Sequence, residues 1–119
     1  MIRSKVIAIA FGFALAVPAV PAFASWQCSI HPPKSASDAQ LRAMARISKP
    51  QAERIALKRV DHGAKIASAE IEAEQGCLIW SFDTKIPGRK GVEEVNIDAG
   101  NGKVLGVHHE SAGAEASEG

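Results

Sequence analysis

The feature that most constrains the fold is a regular alternation of apolar and polar residues on both sides of a Gln75-Gly76 pair. A two-residue turn flanked by such alternation predicts a β-hairpin. The turn aligns small apolar residues with large ones, pairing Ala73 with Leu78, Ile71 with Trp80 and Ala69 with Phe82. A slip of one residue would expose this whole set, so the pattern predicts both the hairpin and its register.

A third strand follows the hairpin. The stretch from Pro87 to Gly91 reads as a turn, and Val95 and Ile97 then alternate with polar residues. This loop length places Val95 opposite Phe82 and Ile97 opposite Trp80. The third strand therefore extends the same apolar face.

A fourth strand, KVLGVHH from Lys103 to His109, follows the glycines of Gly100 to Gly102. Its expected inward residues are Leu105 and Val107. A phosphate-binding loop opens a helix, whereas a strand follows here. A calcium loop would need oxygen ligands where the glycines stand, although Asp98 is a suitable first ligand. The sequence therefore predicts a tight turn between strands.

Two capping boxes precede the sheet, each a serine followed three residues later by a glutamine. Ser37 with Gln40 predicts a short helix, and Ser48 with Gln51 predicts a longer one that runs to Val60. The apolar stripe of the longer helix consists of Ala52, Ile55, Ala56 and Val60, at helical spacing.

Gly63 is the expected left-handed residue that ends the longer helix. The helical stripe would cover the sheet face built on Trp80 and Phe82, which makes Trp80 a core residue rather than a ligand platform. The fold class is therefore α+β, with one or two N-terminal helices packed on one face of a four-stranded antiparallel meander sheet.

Residues 1–24 have the layout of a secretory signal peptide, with Arg3 and Lys5 before an apolar run and Ala22-Phe23-Ala24 at its end. The apolar run is shorter than the ~20 residues that cross a bilayer. We therefore expect cleavage after Ala24, no stable membrane insertion afterwards, and a periplasmic or secreted protein.

Removal of the signal peptide takes two of the fourteen basic residues and none of the thirteen acidic ones, so the mature chain carries about one negative charge. Such a chain lacks the basic surface that nucleic acid requires. Its expected partners are proteins or small solutes of the cell envelope.

Two cysteines, Cys28 and Cys77, remain in the mature chain. An even number of cysteines in an exported protein favours a disulfide. Two unpaired thiols that face apart are the alternative, because the argument rests on export alone.

Four histidines are further candidate metal ligands, and they are scattered along the chain as His31, His62, His108 and His109. Adjacent residues on a strand point to opposite faces, so His108 and His109 do not readily bind one metal together. No spacing among the four predicts the three or four converging ligands of a metal site. We expect no metal and no other cofactor.

No catalytic motif is present in the chain. Glu70, Glu72 and Glu74 stand at strand spacing and form an outward row, which favours a solvated face over a general acid and base pair. With Ile79 and Ser81 across the hairpin, this row is the candidate surface for a partner. We expect the protein not to be an enzyme.

Three stretches, ISKPQAERIALKRV, AEIEAEQGCLIWSFD and VEEVNIDAGNGKVLGV, together resemble the PepSY domain family. The last is the most specific, being similar to the family's ending of strand, Asp, Gly-Lys-Val and strand. The resemblance indicates a PepSY-like domain at 48–109, after an N-terminal segment with a short helix at 25–47. Residues 110–119 are small and polar and are expected to form a disordered tail.

The PepSY resemblance implies a helix on an antiparallel sheet and brings no catalytic residues. It also implies a role in restraining peptidases, and no peptidase domain follows in this chain, so we expect the partner to be a separate protein. The leading hypothesis is a non-enzymatic binding module that modulates a peptidase or another envelope protein. The alternative is a metal- or ligand-responsive periplasmic protein that uses its histidines.

Overall fold

The computed structural model describes residues 25–111. The predicted signal peptide and most of the predicted tail lie outside this range. The elements are α1 (Asp38–Met44), α2 (Lys49–Val60), β1 (Lys65–Glu74), β2 (Cys77–Lys85), β3 (Val92–Asp98) and β4 (Val104–Glu110). The strands form one antiparallel sheet in the order β1-β2-β3-β4. The predicted α+β fold, with helices on a meander sheet, is confirmed.

Both helices begin at the predicted capping boxes. The Gln51 N–H donates to the Ser48 hydroxyl at 3.2 Å, and the Ser48 N–H donates to the Gln51 side chain at 2.7 Å. Ser37 and Gln40 form the same pair of bonds. Each box satisfies two backbone donors that a helix start leaves open.

Helix α2 ends at Val60 and Gly63 has a left-handed φ, both as predicted, but Asp61 is already the first residue with a positive φ. Asp61, His62 and Gly63 have φ angles of 56°, 56° and 72°. The chain has thus left the helix two residues before Gly63, because Asp61 already adopts a non-helical conformation.

The hairpin register is confirmed at every predicted pair. Ala73 lies opposite Leu78, Ile71 opposite Trp80 and Ala69 opposite Phe82, and the third strand pairs as predicted. Gln75 and Gly76 have φ angles of 52° and 77°, as a two-residue hairpin turn with right-handed strand twist requires.

The core lies between α2 and the sheet face that we call the inner face. Ala52 and Ala56 are fully buried, and such small residues let the helix approach the sheet closely. Trp80 and Phe82 are buried beneath it, with ring centroids 6.4 Å apart. The Trp80 Nε1–H donates to the Ile47 carbonyl at 3.2 Å, so this indole is a satisfied core residue, as predicted.

The last strand contains an irregularity that the alternation did not predict. Asn96 pairs with Gly106, but the next residue, Ile97, pairs with Val104, so β4 carries an extra residue at this point. Val104 and Val107 therefore pack against the core, and Leu105, which was expected to point inward, does not. β4 also continues to Glu110, one residue into the predicted tail.

Within residues 25–111, neither helix has the length and apolar character needed to cross a membrane.

Candidate functional site

The sheet face away from the helices, here called the outer face, carries the predicted glutamate row. Glu70, Glu72 and Glu74 alternate with the core residue Ile71, so they lie on the opposite face. Across the sheet, from β1 to β3, the outer face has three rows of paired residues. The first row is Glu70, Ser81 and Asn96, the second is Glu72, Ile79 and Asp98, and the third is Glu74 and Cys77.

The N-terminal arm, Ser25 to Ala36, is fastened to one end of this sheet. Cys28 and Cys77 form a disulfide with their Cα atoms 5.8 Å apart, as the export argument predicted. The Leu78 N–H donates to the Ile30 carbonyl at 3.0 Å, and the His31 ring nitrogen Nδ1 lies 3.0 Å from the Gly76 carbonyl oxygen. The arm is therefore held by a covalent bond and by backbone contacts.

A buried carboxylate fastens the arm at a second point. Asp98 accepts hydrogen bonds from the Ser29 hydroxyl at 2.6 Å, from the Ser29 N–H at 2.8 Å and from the Gly100 N–H at 2.7 Å. Burial alone would raise the pKa of Asp98, but these bonds and a further one from Asn101 outweigh it and lower the pKa. Asp98 thus joins the glycine turn to the arm.

The glycine turn between β3 and β4 is confirmed as a turn, with the Gly102 N–H donating to the Asp98 carbonyl at 2.9 Å. Gly102 has a φ of +79°, which favours glycine. Gly100 is required for a different reason, because a Cβ there would collide with the Ser29 hydroxyl. Gly102 therefore serves the turn and Gly100 serves the attachment of the arm.

Two members of the predicted contact surface are less accessible than the alternation implied. Ile79 is fully buried and Ser81 is 8% exposed, although both belong to the outer face. The neighbours of Ile79 on this face, Cys77 and Asp98, are both bonded to the arm. The arm therefore covers this end of the face, while Glu70 and Glu74 remain exposed and Glu72 is partly buried.

The remaining outer face is strongly acidic. Five carboxylates and two serines line a depression of about 180 Å³, namely Glu70, Glu72, Asp83, Glu94, Glu110, Ser68 and Ser81. Burial, followed by repulsion from Glu74, Glu70 and Glu94, raises the pKa of Glu72 to about 7. Within residues 25–111, no basic side chain forms an ion pair with Glu70, Glu72, Glu74, Asp83 or Glu94.

A second cavity, of about 320 Å³, adjoins this depression and shares Glu94 with it. Trp26 of the arm forms one wall, and its ring passes 3.7 Å from the position that a Cβ would take at Gly106. Glu74 and His108 also line the cavity. We call it the Trp26 cavity.

Asn96 also lines the Trp26 cavity and is only 4% exposed. Its Nδ2 donates to the Glu94 carboxylate at 3.2 Å, and its Oδ1 has no hydrogen-bond partner in the described part of the chain. Neither Trp26 nor Asn96 belongs to a motif that would predict a site from the sequence. The glycine inside a strand, Gly106, was the available signal, because such a residue often marks a close approach to the backbone.

The four histidines do not converge. His31 contacts the Gly76 carbonyl, His62 is exposed after α2, and His108 faces the Trp26 cavity. His109 pairs with Glu93 at 3.1 Å. Among residues 25–111, no group of three or more His, Cys, Asp or Glu side chains is arranged to hold a metal ion. These positions do not favour the metal-responsive alternative.

One family model matches the chain. It is described as the peptidase propeptide and YPEB domain, PepSY, and it covers residues 46–108, just over half of the 119 residues. The match includes α2 and nearly the whole sheet, but Trp26, Cys28 and Ser29 of the arm lie before it. No curated protein and no solved structure matched the chain.

Proposed function

The chain belongs to the PepSY family, and we propose that it is a non-enzymatic exported binding module that modulates a peptidase or another protein of the cell envelope. The family match over residues 46–108 carries this proposal, because the family is related to peptidase propeptides. A fold alone does not define a function, so the surface chemistry has to be consistent with it.

The outer face supports a protein partner of opposite charge. Four of the carboxylates that line one depression, and a fifth that repels Glu72 from beside it, have no basic ion-pair partner in residues 25–111. They are Glu70, Glu72, Asp83 and Glu94, with Glu74 as the fifth. Burial raises the pKa of Glu72 most, and repulsion from the neighbouring carboxylates raises it further. A basic partner surface would relieve that repulsion. A specific and stable contact of this kind buries on the order of 1,200–2,000 Å².

The free edge of the sheet offers a further contact. β1 is an edge strand, and a groove of about 420 Å³ runs between it and α1, with Lys34, Arg42, Glu70 and Glu72 among its lining residues. An extended segment of a partner can add to such an edge through backbone hydrogen bonds. The edge and the acidic face are adjacent, because Glu70 and Glu72 border both.

Catalysis is not part of this proposal. A carboxyl group with a pKa near 7, such as that of Glu72, is a property that general acids share. The depression around it, however, contains further carboxylates and the hydroxyls of Ser68 and Ser81, and no histidine or lysine that would activate a hydroxyl. Burial of Glu72, together with repulsion from the neighbouring carboxylates, accounts for the raised pKa without a reaction.

Export is supported by two features of the chain. Residues 1–24 have the pattern of a signal peptide, and the Cys28–Cys77 disulfide suits an oxidising compartment. We therefore propose a periplasmic or secreted location for the mature chain from Ser25 onward.

An activity assay tests the proposed function. Envelope extract is assayed for peptidase activity with and without the purified mature chain, and proteins retained by the immobilised chain are identified and purified. We expect the mature chain to slow a retained peptidase, or to bind another purified envelope protein directly. A variant with Glu70→Lys and Glu74→Lys, both exposed positions, is the matched control and should do neither. Unchanged peptidase activity together with no retained partner would overturn the proposal.

A further inference from the structure

The Trp26 cavity combines three features that together define a kind of ligand. Trp26 contributes an indole ring to its lining, Glu74 and Glu94 contribute carboxylates, and Asn96 contributes a buried oxygen that accepts no hydrogen bond within residues 25–111. This oxygen belongs to a neutral side chain that is only 4% exposed, so it is a different kind of group from the surface carboxylates around it.

We propose that the Trp26 cavity receives one basic side chain, an arginine or a lysine, from an extended segment of the protein partner. This inference rests on the proposed function, because it assigns the chemistry by which the same face recognises its partner. It goes further in naming one anchoring pocket at which that recognition is concentrated.

The lining of the cavity matches a cation with several N–H donors. Indole rings attract lysine and arginine side chains through the ring quadrupole. Carboxylates form their strongest hydrogen bonds with guanidinium and ammonium groups, and guanidinium carries five donors in a planar fork. The Asn96 Nδ2 donates one hydrogen bond to Glu94, and the Oδ1 atom is the acceptor of this amide that a ligand N–H would satisfy.

The spacing of the glutamate row favours an extended segment. Residues two apart on a strand are separated by roughly 6.6–6.8 Å. Glu70, Glu72 and Glu74 therefore present carboxylates at the repeat of alternate side chains in another extended chain. A segment with basic residues at alternate positions would place one of them in the cavity and others along the row.

Other occupants fit the cavity less well. The part of this chain that follows Ser111 carries two glutamates and no basic residue, so it lacks the complementary charge. An anionic segment would meet the carboxylates of Glu74 and Glu94. A metal ion would need a group of ligands that residues 25–111 do not assemble.

Nuclear magnetic resonance with capped single residues tests the inference directly. The mature chain is titrated with N-acetyl-arginine amide and N-acetyl-lysine amide, and with N-acetyl-citrulline amide as the uncharged control of the same shape. We expect a saturable shift of the Trp26 indole N–H signal with the two cations. Citrulline should bind roughly tenfold more weakly or worse, because the charge supplies most of the attraction. The Trp80 indole is bonded to Ile47 inside the core and serves as the internal reference.

Two variants locate the site. Glu94→Gln removes one charge and keeps an oxygen that accepts from Asn96. We expect this variant to bind the arginine probe about threefold to tenfold more weakly, as loss of one close charge does. Trp26→Leu should lower the affinity for the same probe by a similar factor, because it removes the aromatic wall. Glu53→Gln on α2, far from the outer face in the fold, is the matched control and should leave the affinity unchanged.

Three outcomes would overturn the inference. These are the absence of a saturable shift at Trp26, equal binding of citrulline and arginine, and equal shifts at Trp26 and Trp80. The two proposals fail separately. If the mature chain inhibits a peptidase but does not bind the arginine probe, only the cavity assignment is lost. If it binds the probe but no envelope protein, the proposed function is lost and the cavity remains as a site for a basic side chain without an assigned partner.

Discussion

Ser29 and Asp98 form a two-point clamp, in which the serine N–H donates to one carboxylate oxygen at 2.8 Å and its hydroxyl donates to the other at 2.6 Å. The clamp joins a residue of the N-terminal arm to the end of β3, which lies within the family match. Together with the Cys28–Cys77 bridge, it fixes the arm across the outer face and places Trp26 beside Gly106. The shape of the candidate site therefore depends on this clamp.

Asp98→Asn should lower the free energy of unfolding by roughly 1.5–3 kcal/mol, the usual value of hydrogen bonds to a buried charged group. Asp83→Asn is the matched control, since the Asp83 carboxylate accepts from the Ser68 hydroxyl at an exposed site, and it should cost less than ~0.5 kcal/mol. Urea unfolding measures both. Equal losses in the two variants would contradict the anchoring role of Asp98.

Asp98 also predicts a pH dependence. Because its pKa is lowered from the usual 3.8, its stabilisation is present above that pH and is lost as the pH falls through the folded-state pKa. The wild type should therefore lose more stability than Asp98→Asn when the pH is lowered from neutral to about 2, within the range where native carboxylates titrate. Parallel acid-unfolding curves for the two proteins would contradict this assignment.

The disulfide should contribute about 4 kcal/mol, the chain-entropy value for a closed loop of this size, since Cys28 and Cys77 are separated by 49 residues. The double variant Cys28→Ala and Cys77→Ala should lose that amount in urea unfolding. Reductant should destabilise the wild type similarly and leave the variant unchanged. If reductant affects neither protein, the bridge does not form in solution.

Trp80→Ala should cost ~3–5 kcal/mol, as truncation of a large aromatic side chain in a packed core does. Trp80 is 7% exposed, and the substitution also removes the hydrogen bond from its indole N–H to the Ile47 carbonyl. Trp26→Ala provides the comparison, because Trp26 is only partly buried against the outer face, and its loss should be smaller. A greater loss at Trp26 than at Trp80 would reverse the assignment of core and surface.

Glu72 predicts a pH dependence of stability that is opposite in sign to that of Asp98. Its pKa is raised from 4.5 to about 7, so the folded chain retains the Glu72 proton between these values, and the associated stability is lost as the pH rises through 7. Glu72→Gln resembles the protonated group. It should raise Tm at pH 8 by on the order of 4–8 °C, the effect of about 1 kcal/mol in a domain of this size, after allowance for solvent screening.

At pH 5 the same Glu72→Gln substitution should change Tm much less, because the wild-type carboxyl group is then protonated in the folded chain. Glu53→Gln, which removes an exposed i,i+4 pair with Lys49, is the control and should show no such contrast between the two pH values. A Tm gain of the same size at pH 5 and pH 8 would contradict the raised pKa of Glu72.

The sheet was predictable because its signals are local. The register of the β1–β2 hairpin follows from Gln75 and Gly76, whose positive φ angles suit a two-residue turn, and from alternation on both sides of it. The helix starts follow from capping boxes that span only four residues. The irregularity in β4 has no such local signal, so Leu105 was assigned to the wrong face.

The candidate site was predictable only in part. The glutamate row follows from strand alternation, but burial of Ile79 depends on the arm, whose contacts with Asp98 span 69 residues of sequence. The arm has no regular secondary structure from Ser25 to Pro33, so no periodic pattern indicates where it lies. The wall provided by Trp26 could therefore be identified only from the folded arrangement.

The most direct test of the central claim is the affinity of the mature chain for its purified partner when the glutamate row is reversed in charge. With Glu70→Lys, Glu72→Lys and Glu74→Lys combined, we expect Kd to rise by about tenfold or more, equivalent to 1.4 kcal/mol, while Tm does not fall. Glu53→Lys on α2 should leave Kd unchanged. Added salt should weaken partner binding by the wild-type chain and by this control, but not by the reversed chain. Equal affinity of the reversed and wild-type chains would contradict the claim that the acidic outer face is the docking surface.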